Sequence, residues 1–319
     1  MMPRLLLALA LCLPFAAGAQ AAYPSKPITI LVGSAPGGSN DVFARALSRR
    51  LQESLGQTVI VDNRPSDGGV LANSLVARAQ PDGYTLVVVS STFTTGAAIR
   101  NNLQYDAITD LKPVAMLARG PLLVTVRKDS PFKTIQDLVA AAKARPAKLN
   151  YGSSGTGSIN HFATELFSEG AGIKLTHIPY KGMGPATADL LGGQIDLLVA
   201  SAPSILAQVK GGRARALAVT TSGRSPIAPD LPSLEEAGYK GSAIDLWWGV
   251  LAPAKTPPAL VDKLNAAINK EIQSPEMKGF FLNEGAIPAP LKPAEFADYI
   301  ATEIARWKAV AKVADIKPD

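Results

Sequence analysis

Two glycine-rich loops with a shared frame, G-x-x-x-x-G-S, occupy matching places in the two halves of the chain. The first, Gly33-Ser34-Ala35-Pro36-Gly37-Gly38-Ser39-Asn40-Asp41, follows the apolar run Ile28 to Val32 and opens an amphipathic stretch. The second, Gly152-Ser153-Ser154-Gly155-Thr156-Gly157-Ser158-Ile159-Asn160-His161, follows Leu149-Asn150-Tyr151 and does the same. A strand that turns through such a loop into a helix is the unit of an α/β fold, whose ligands sit at the carboxyl ends of the strands. The glycines let backbone amides face a cavity without an obstructing Cβ. The helix that follows adds unpaired N–H groups and a positive dipole end. Two such loops in two α/β halves predict one anion held between them.

The rest of the chain keeps the same rhythm. Apolar runs at Val59 to Val61, Leu86 to Val89, Leu122 to Val126, Leu175 to Ile178, Ile195 to Val199 and Leu217 to Val219 alternate with helical stretches. Phe43, Leu47, Leu51 and Leu55 recur at i+4 before Gly56, and Phe162 and Leu166 repeat that spacing before Gly170. The expected fold is α/β, with two domains, each a mainly parallel sheet flanked by helices. At roughly 100 to 200 residues per domain, a chain of 319 residues supports that count. After Pro257-Pro258 the pattern changes to two helices, on Leu260, Leu264, Ile268 and Ile272 and on Phe296, Ile300, Ile304 and Trp307, with no long strand between them. The chain is therefore expected to return and pack on its first domain. A hydrophobic fraction of 47% with 18% charged residues is ordinary for a globular protein and excludes a disordered one.

Residues 1–21 read as a secretory signal peptide: Arg4, the apolar run Leu5 to Ala16, then a small-residue tail, with cleavage expected after Ala21 and Ala19 at −3. The apolar run is shorter than the roughly 20 residues a membrane-spanning helix needs. The single cysteine, Cys12, lies within this segment after Leu11, so lipid attachment is not expected and the mature chain has no cysteine. An exported chain without disulfides points to a bacterial periplasm.

Several chemistries fall away. Ser39 and Ser158 stand where a nucleotide phosphate loop needs Lys, and neither loop satisfies G-x-G-x-x-G, which argues against ATP, GTP and dinucleotides. The expected cofactor list is empty. No His/Asp/Glu cluster has metal-ligand spacing, so no metal site is expected. Removing Arg4, the one charge in the leader, takes the net charge from +6 to +5 without leaving a basic stripe, and nucleic acid is not an expected partner. The mature chain offers only His161 and His177 as histidine bases and has no G-x-S-x-G elbow, so an enzyme is not expected. A secreted serine acyl hydrolase using Ser154 with His161 stays as the alternative, and a purely structural interaction protein as a third.

Tyr23-Pro24-Ser25-Lys26-Pro27-Ile28, Ala35 to Asp41, Val61-Asp62-Asn63-Arg64-Pro65, Pro81-Asp82-Gly83-Tyr84-Thr85-Leu86, Tyr151 to Gly155, Pro179-Tyr180-Lys181-Gly182 and Trp247-Trp248-Gly249 follow one another along the mature chain. In this order they resemble the Bug (Bordetella uptake gene) or TctC family, the periplasmic substrate-binding proteins of tripartite tricarboxylate transporters. The resemblance implies a flytrap of two α/β domains, residues 24–118 with 246–319 and residues 119–245, closing on a small organic carboxylate. It implies delivery to the inner-membrane permease subunits of such a transporter, or to a sensor. It places Gly37, Gly38 and Ser39 on the ligand, Asp41 as a prop of their loop, and Ser90 and Thr92 on the same wall. Ser153, Ser154, Gly155, Thr156, Gly157 and Ser158 would face them, with Tyr180 and Lys181 as floor. Trp247 and Trp248 are expected either in hinge packing or on the ligand. Two departures from the family pattern bear on the ligand. Ser66-Asp67-Gly68-Gly69 stands where Gly-Ala-Gly-Gly is common, and Asp67 would repel a dicarboxylate unless it faces solvent or meets an amine. Ala35 replaces a bulkier residue and leaves room.

Overall fold

A computed structural model describes residues 23–313 and 316–317; the expected signal peptide, residues 1–21, lies outside them. Along the chain come β1 (Ile28–Val32), α1 (Ser39–Leu55), β2 (Val59–Asn63), a 3-10 turn (Asp67–Gly69), α2 (Val70–Ala77), β3 (Thr85–Ser90), α3 (Thr92–Ile99), β4 (Leu111–Arg127), α4 (Ile135–Ala144), β5 (Asn150–Ser153), α5 (Ile159–Ala171), β6 (Thr176–Pro179), α6 (Met183–Gly192), β7 (Leu197–Ser201), α7 (Ala202–Lys210), β8 (Ala214–Val219), β9 (Asp245–Pro253), α8 (Pro258–Ile272), α9 (Pro275–Asn283), β10 (Ile287–Pro288) and α10 (Pro293–Val313).

The helices form where the sequence gives them a buried face and a stop. In α1, Phe43, Leu47 and Leu51 are buried, and Gly56 ends the helix in the left-handed region at φ 66°. In α4, Thr134 and Asp137 make a reciprocal capping box. In α10, Phe296, Ile300, Ile304 and Trp307 are all buried.

The sheets are mixed, which corrects the expectation of mainly parallel ones. β2, β1 and β3 are parallel neighbours, as are β6, β5 and β7. β9 pairs antiparallel with both β3 and β4, and β4 pairs antiparallel with β7 and β8. The cause is the crossing itself. β4 leaves the first sheet for the second and β9 returns, so the two must run in opposite directions. Leu111 to Pro121 of β4 lie against β9, and Leu122 to Arg127 lie between β7 and β8. Only Leu122 to Val126 read as a strand in sequence, because Pro113, Gly120 and Pro121 break the apolar run of this 17-residue element.

The closing segment contains three helices and the short β10, not two helices. The extra helix, α9, buries only Met277 and Phe281, too narrow a stripe to stand out. Trp247 and Trp248 are fully buried in β9. Trp247 meets Phe296 edge-on at 5.3 Å, and Trp248 meets Phe43 at 4.6 Å. Both tryptophans are packing residues at the crossing.

Candidate functional site

A small cavity opens between the carboxyl ends of the strands of the two sheets. Its wall is built from the first residues of helices. Gly38, Ser39 and Asn40 begin α1, Gly69 caps α2, and Thr92 begins α3. Ile159 and Asn160 begin α5, Met183 begins α6, and Ser201 caps α7. Six helix N-termini thus open on one space, each with first-turn N–H groups that have no intrahelical acceptor and the positive end of a helix dipole. No lining residue is ionisable. The arrangement gives an anion a positive field and backbone donors without a fixed cation.

The five sequence-expected residues on this wall are Gly38, Ser39, Ser90, Thr92 and Ser154. Gly38 has an ordinary extended backbone at φ −76°, but a Cβ there would lie 3.3 Å from Ser34 Oγ, itself a lining residue without a partner. Trp248 Nε1 donates to Ser39 Oγ at 2.9 Å, and the Ile159 amide donates to Thr92 Oγ1 at 3.2 Å. Each hydroxyl therefore keeps its own proton for another acceptor.

The other expected site residues stand behind or beside the wall. Gly37, at φ 85°, gives its amide to Asp41 Oδ2 at 3.1 Å. The Asp41 carboxylate, only 4% exposed, also accepts from Arg45 Nε at 2.9 Å and Asn63 Nδ2 at 3.0 Å. Burial alone would raise its pKa, but these hydrogen bonds and the Arg45 charge outweigh that and hold it below the ordinary carboxylate value. Ser153 is fully buried, with its Oγ 2.6 Å from His177 Nε2. The Gly157 amide donates to His161 Nδ1 at 3.1 Å, and Ser158 Oγ caps α5 by accepting from the His161 amide. The two histidine rings stack at 4.1 Å beneath the second loop.

Tyr180 and Lys181 do not form a floor. Tyr180 donates to Asp189 at 2.7 Å, with burial and that carboxylate pushing its pKa up to about 12, and its ring lies behind Gly152. Lys181 points outward, and only its carbonyl meets the first loop, accepting from the Ala35 amide at 3.2 Å.

Asp67 takes the first of the two courses considered from sequence, being exposed to solvent, and it is also paired within the chain. Its carboxylate pairs with the Arg100 guanidinium, and the same Arg100 Nη2 donates to the Thr156 carbonyl of the second loop at 2.5 Å. A Cβ at Gly155 would overlap the Asp67 carboxylate, which explains why this position is glycine at φ 117°. The negative charge next to the cavity is thus neutralised within the chain, and it ties the first sheet's side to the second loop.

Sequence reasoning left Ser34, Asn40, Gly68, Gly69, Asn73, Asn160, Met183 and Ser201 out of the site. The signal that would have found most of them is positional: each strand's last residues and the next helix's first turn face the same space.

A family model described as the tripartite tricarboxylate transporter family receptor matches residues 43–316. The chain belongs to this receptor family. It is 38% identical over 292 residues to Protein BugT of Bordetella pertussis, covering 91% of this chain and 90% of that one. Among solved structures, Rpa4515 of R. palustris with adipate is 36% identical at a TM-score of 0.90, covering 93% of this chain and all (100%) of that one. MatC of Rhodopseudomonas palustris with bound malate is 31% identical at a TM-score of 0.84, covering 90% and 99%. The TctC receptor fold is the two-lobed α/β periplasmic binding protein fold, with helices flanking mixed sheets. Among the described residues of this TctC receptor, no helix is long and apolar enough to cross a membrane.

Proposed function

We propose that this TctC receptor is a periplasmic, non-enzymatic solute receptor that closes its two lobes on a small organic carboxylate. It then delivers that solute to the inner-membrane permease subunits of a tripartite transporter, or to a sensor. The lobes are residues 24–118 with 246–319 and residues 119–245, and the leader 1–21 is removed on export. The observation that carries the reading is the cavity wall: six helix N-termini and no ionisable side chain. Such a wall favours an anion small enough to be enclosed, and it solvates a carboxylate with donors already fixed in place. The adipate and malate named with two relatives belong to this class. Gly38, Ser39, Ser90, Thr92 and Ser154 form the contact surface, while Gly37, Asp41, Ser153, Gly155, Thr156, Gly157 and Ser158 hold the two loops in shape.

A serine hydrolase needs a base on its nucleophile. Here Ser154 Oγ donates to Asn160 Oδ1 at 2.8 Å, and His161 Nδ1 is taken up by the Gly157 amide. Thermal unfolding with mono-, di- and tricarboxylates tests the reading. A true ligand at a hundredfold excess over Kd stabilises the fold by about 2.7 kcal/mol and raises Tm. No shift with any acid, together with turnover of ester substrates, would favour the hydrolase.

A further inference from the structure

The cavity wall is rich in donors, and Ser154, like Asn40 with its unpartnered Oδ1, breaks that pattern. Asn160 Nδ2 donates to the Val199 carbonyl at 2.8 Å, which fixes the Asn160 amide with Oδ1 turned the other way. That Oδ1 takes the Ser154 hydroxyl proton at 2.8 Å. Ser154 Oγ has therefore given its only hydrogen to the protein and presents lone pairs to the cavity it lines. It has no proton left to donate to a carboxylate. Asn160, its partner, stands in the first turn of α5, where its backbone N–H has no intrahelical acceptor. The second loop thus sets an anion-seeking N–H beside a donor-seeking oxygen.

We propose that the ligand is a hydroxycarboxylate whose hydroxyl sits next to a carboxylate: the carboxylate on the α5 N-terminus, the hydroxyl proton on Ser154 Oγ. An ammonium in place of the hydroxyl would also donate, but it would face six positive helix ends with no carboxylate on the wall. Asp67, the nearest carboxylate considered from sequence, is paired with Arg100. The electrostatics select the hydroxy acid over the amino acid. This inference rests on the reading of the cavity as a carboxylate site and adds to it a second, neutral point of recognition.

Calorimetric titration of the whole mature protein with malate, tartrate, succinate, adipate and aspartate tests it, alongside the variant Ser154→Ala. Malate or tartrate should bind about tenfold tighter than succinate, the size of one net hydrogen bond, and aspartate weaker than malate. Ser154→Ala should abolish the preference, bringing malate and tartrate to the affinity that succinate has for the same variant. The matched pair of acids, measured on one variant, serves as the internal control for folding. Equal affinity for malate and succinate overturns the inference, as does preference for aspartate, or a Ser154→Ala loss shared equally by all acids. In each of those cases the carboxylate reading stands. If none of the acids binds, both fail together.

Discussion

Asp41 shows how a residue can shape the candidate site without lining it. It lies one turn into α1, and its carboxylate gathers the Gly37 amide, Asn63 and Arg45, so the loop that presents Gly38 and Ser39 is tied to β2. The pKa of Asp41 is lowered on folding, so its contribution to stability is present above the ordinary carboxylate pKa of about 3.9. It is lost as the pH falls through the lower, folded value. Asp41→Asn keeps the shape and removes the charge. At pH 7 it should cost about 1 to 3 kcal/mol, the worth of hydrogen bonds to a buried charged group. The difference from wild type should begin to shrink as the pH falls through about 4 and close only below the lower, folded value. Denaturant unfolding of both proteins at pH 7 and at successive steps down through the acid range checks this. A difference that persists unchanged into acid would mean that the Asn63 contact, not the charge, holds the loop.

Between elements, the decisive contact is the one Arg100 makes from the end of α3. It bonds Asp67 beside the α2 turn and the Thr156 carbonyl of the second loop, while Ser39 N–H donates to Ser204 Oγ at 3.0 Å on the other flank. These polar ties join the first sheet's side to the second's through Arg100 and Ser204, neither of which lines the cavity. Arg100→Ala should speed dissociation of a bound acid by about tenfold, the worth of a charge-assisted bond, with little change in association rate. Arg100→Lys should restore part of it. Stopped-flow release of whichever acid stabilises the wild type measures both, and an unchanged off-rate in Arg100→Ala would remove Arg100 from the closing mechanism. The sequence made the loops legible because Gly37-Gly38 and Gly155-Thr156-Gly157 are local signals, and α1 legible because Phe43, Leu47 and Leu51 keep one period. It could not show β9 as the return strand, since Trp247-Trp248-Gly249 carries no alternation, nor the Arg100 bridge. That bridge joins positions 67, 100 and 156, which are brought together only by the β4 and β9 crossing. The resemblance placed Tyr180 on the floor, but its hydroxyl finds Asp189 of α6, the helix that follows its own strand.

At the scale of the whole molecule, the question is what can move. The two sheets are continuous through β4, whose pairing changes hands between Pro121 and Leu122, and through the entry to β9, where the Ile244 amide donates to the Thr220 carbonyl at 2.7 Å. On the same side Trp307 of α10 meets Phe162 of α5 edge-on at 5.6 Å, and both rings are fully buried. Separating those rings would expose large apolar surfaces at a cost of several kcal/mol. The ties at the mouth are a few hydrogen bonds and one ion pair, each worth about 1 to 3 kcal/mol at most. In the proposed two-lobed receptor, opening would turn about the crossing strands and the Phe162–Trp307 contact and would break the Arg100 and Ser204 ties first. Ligand-free protein in solution should be more extended than the closed arrangement described here, and a bound carboxylate should compact it. Small-angle scattering with and without a stabilising acid reads this directly as a fall in radius of gyration. Hydrogen exchange should slow at the first turns of α1 and α5 while β4 at Gly120 to Leu122 stays protected throughout. A radius of gyration that is the same with and without ligand would mean that the lobes stay shut and that the ligand enters by local loop movement instead.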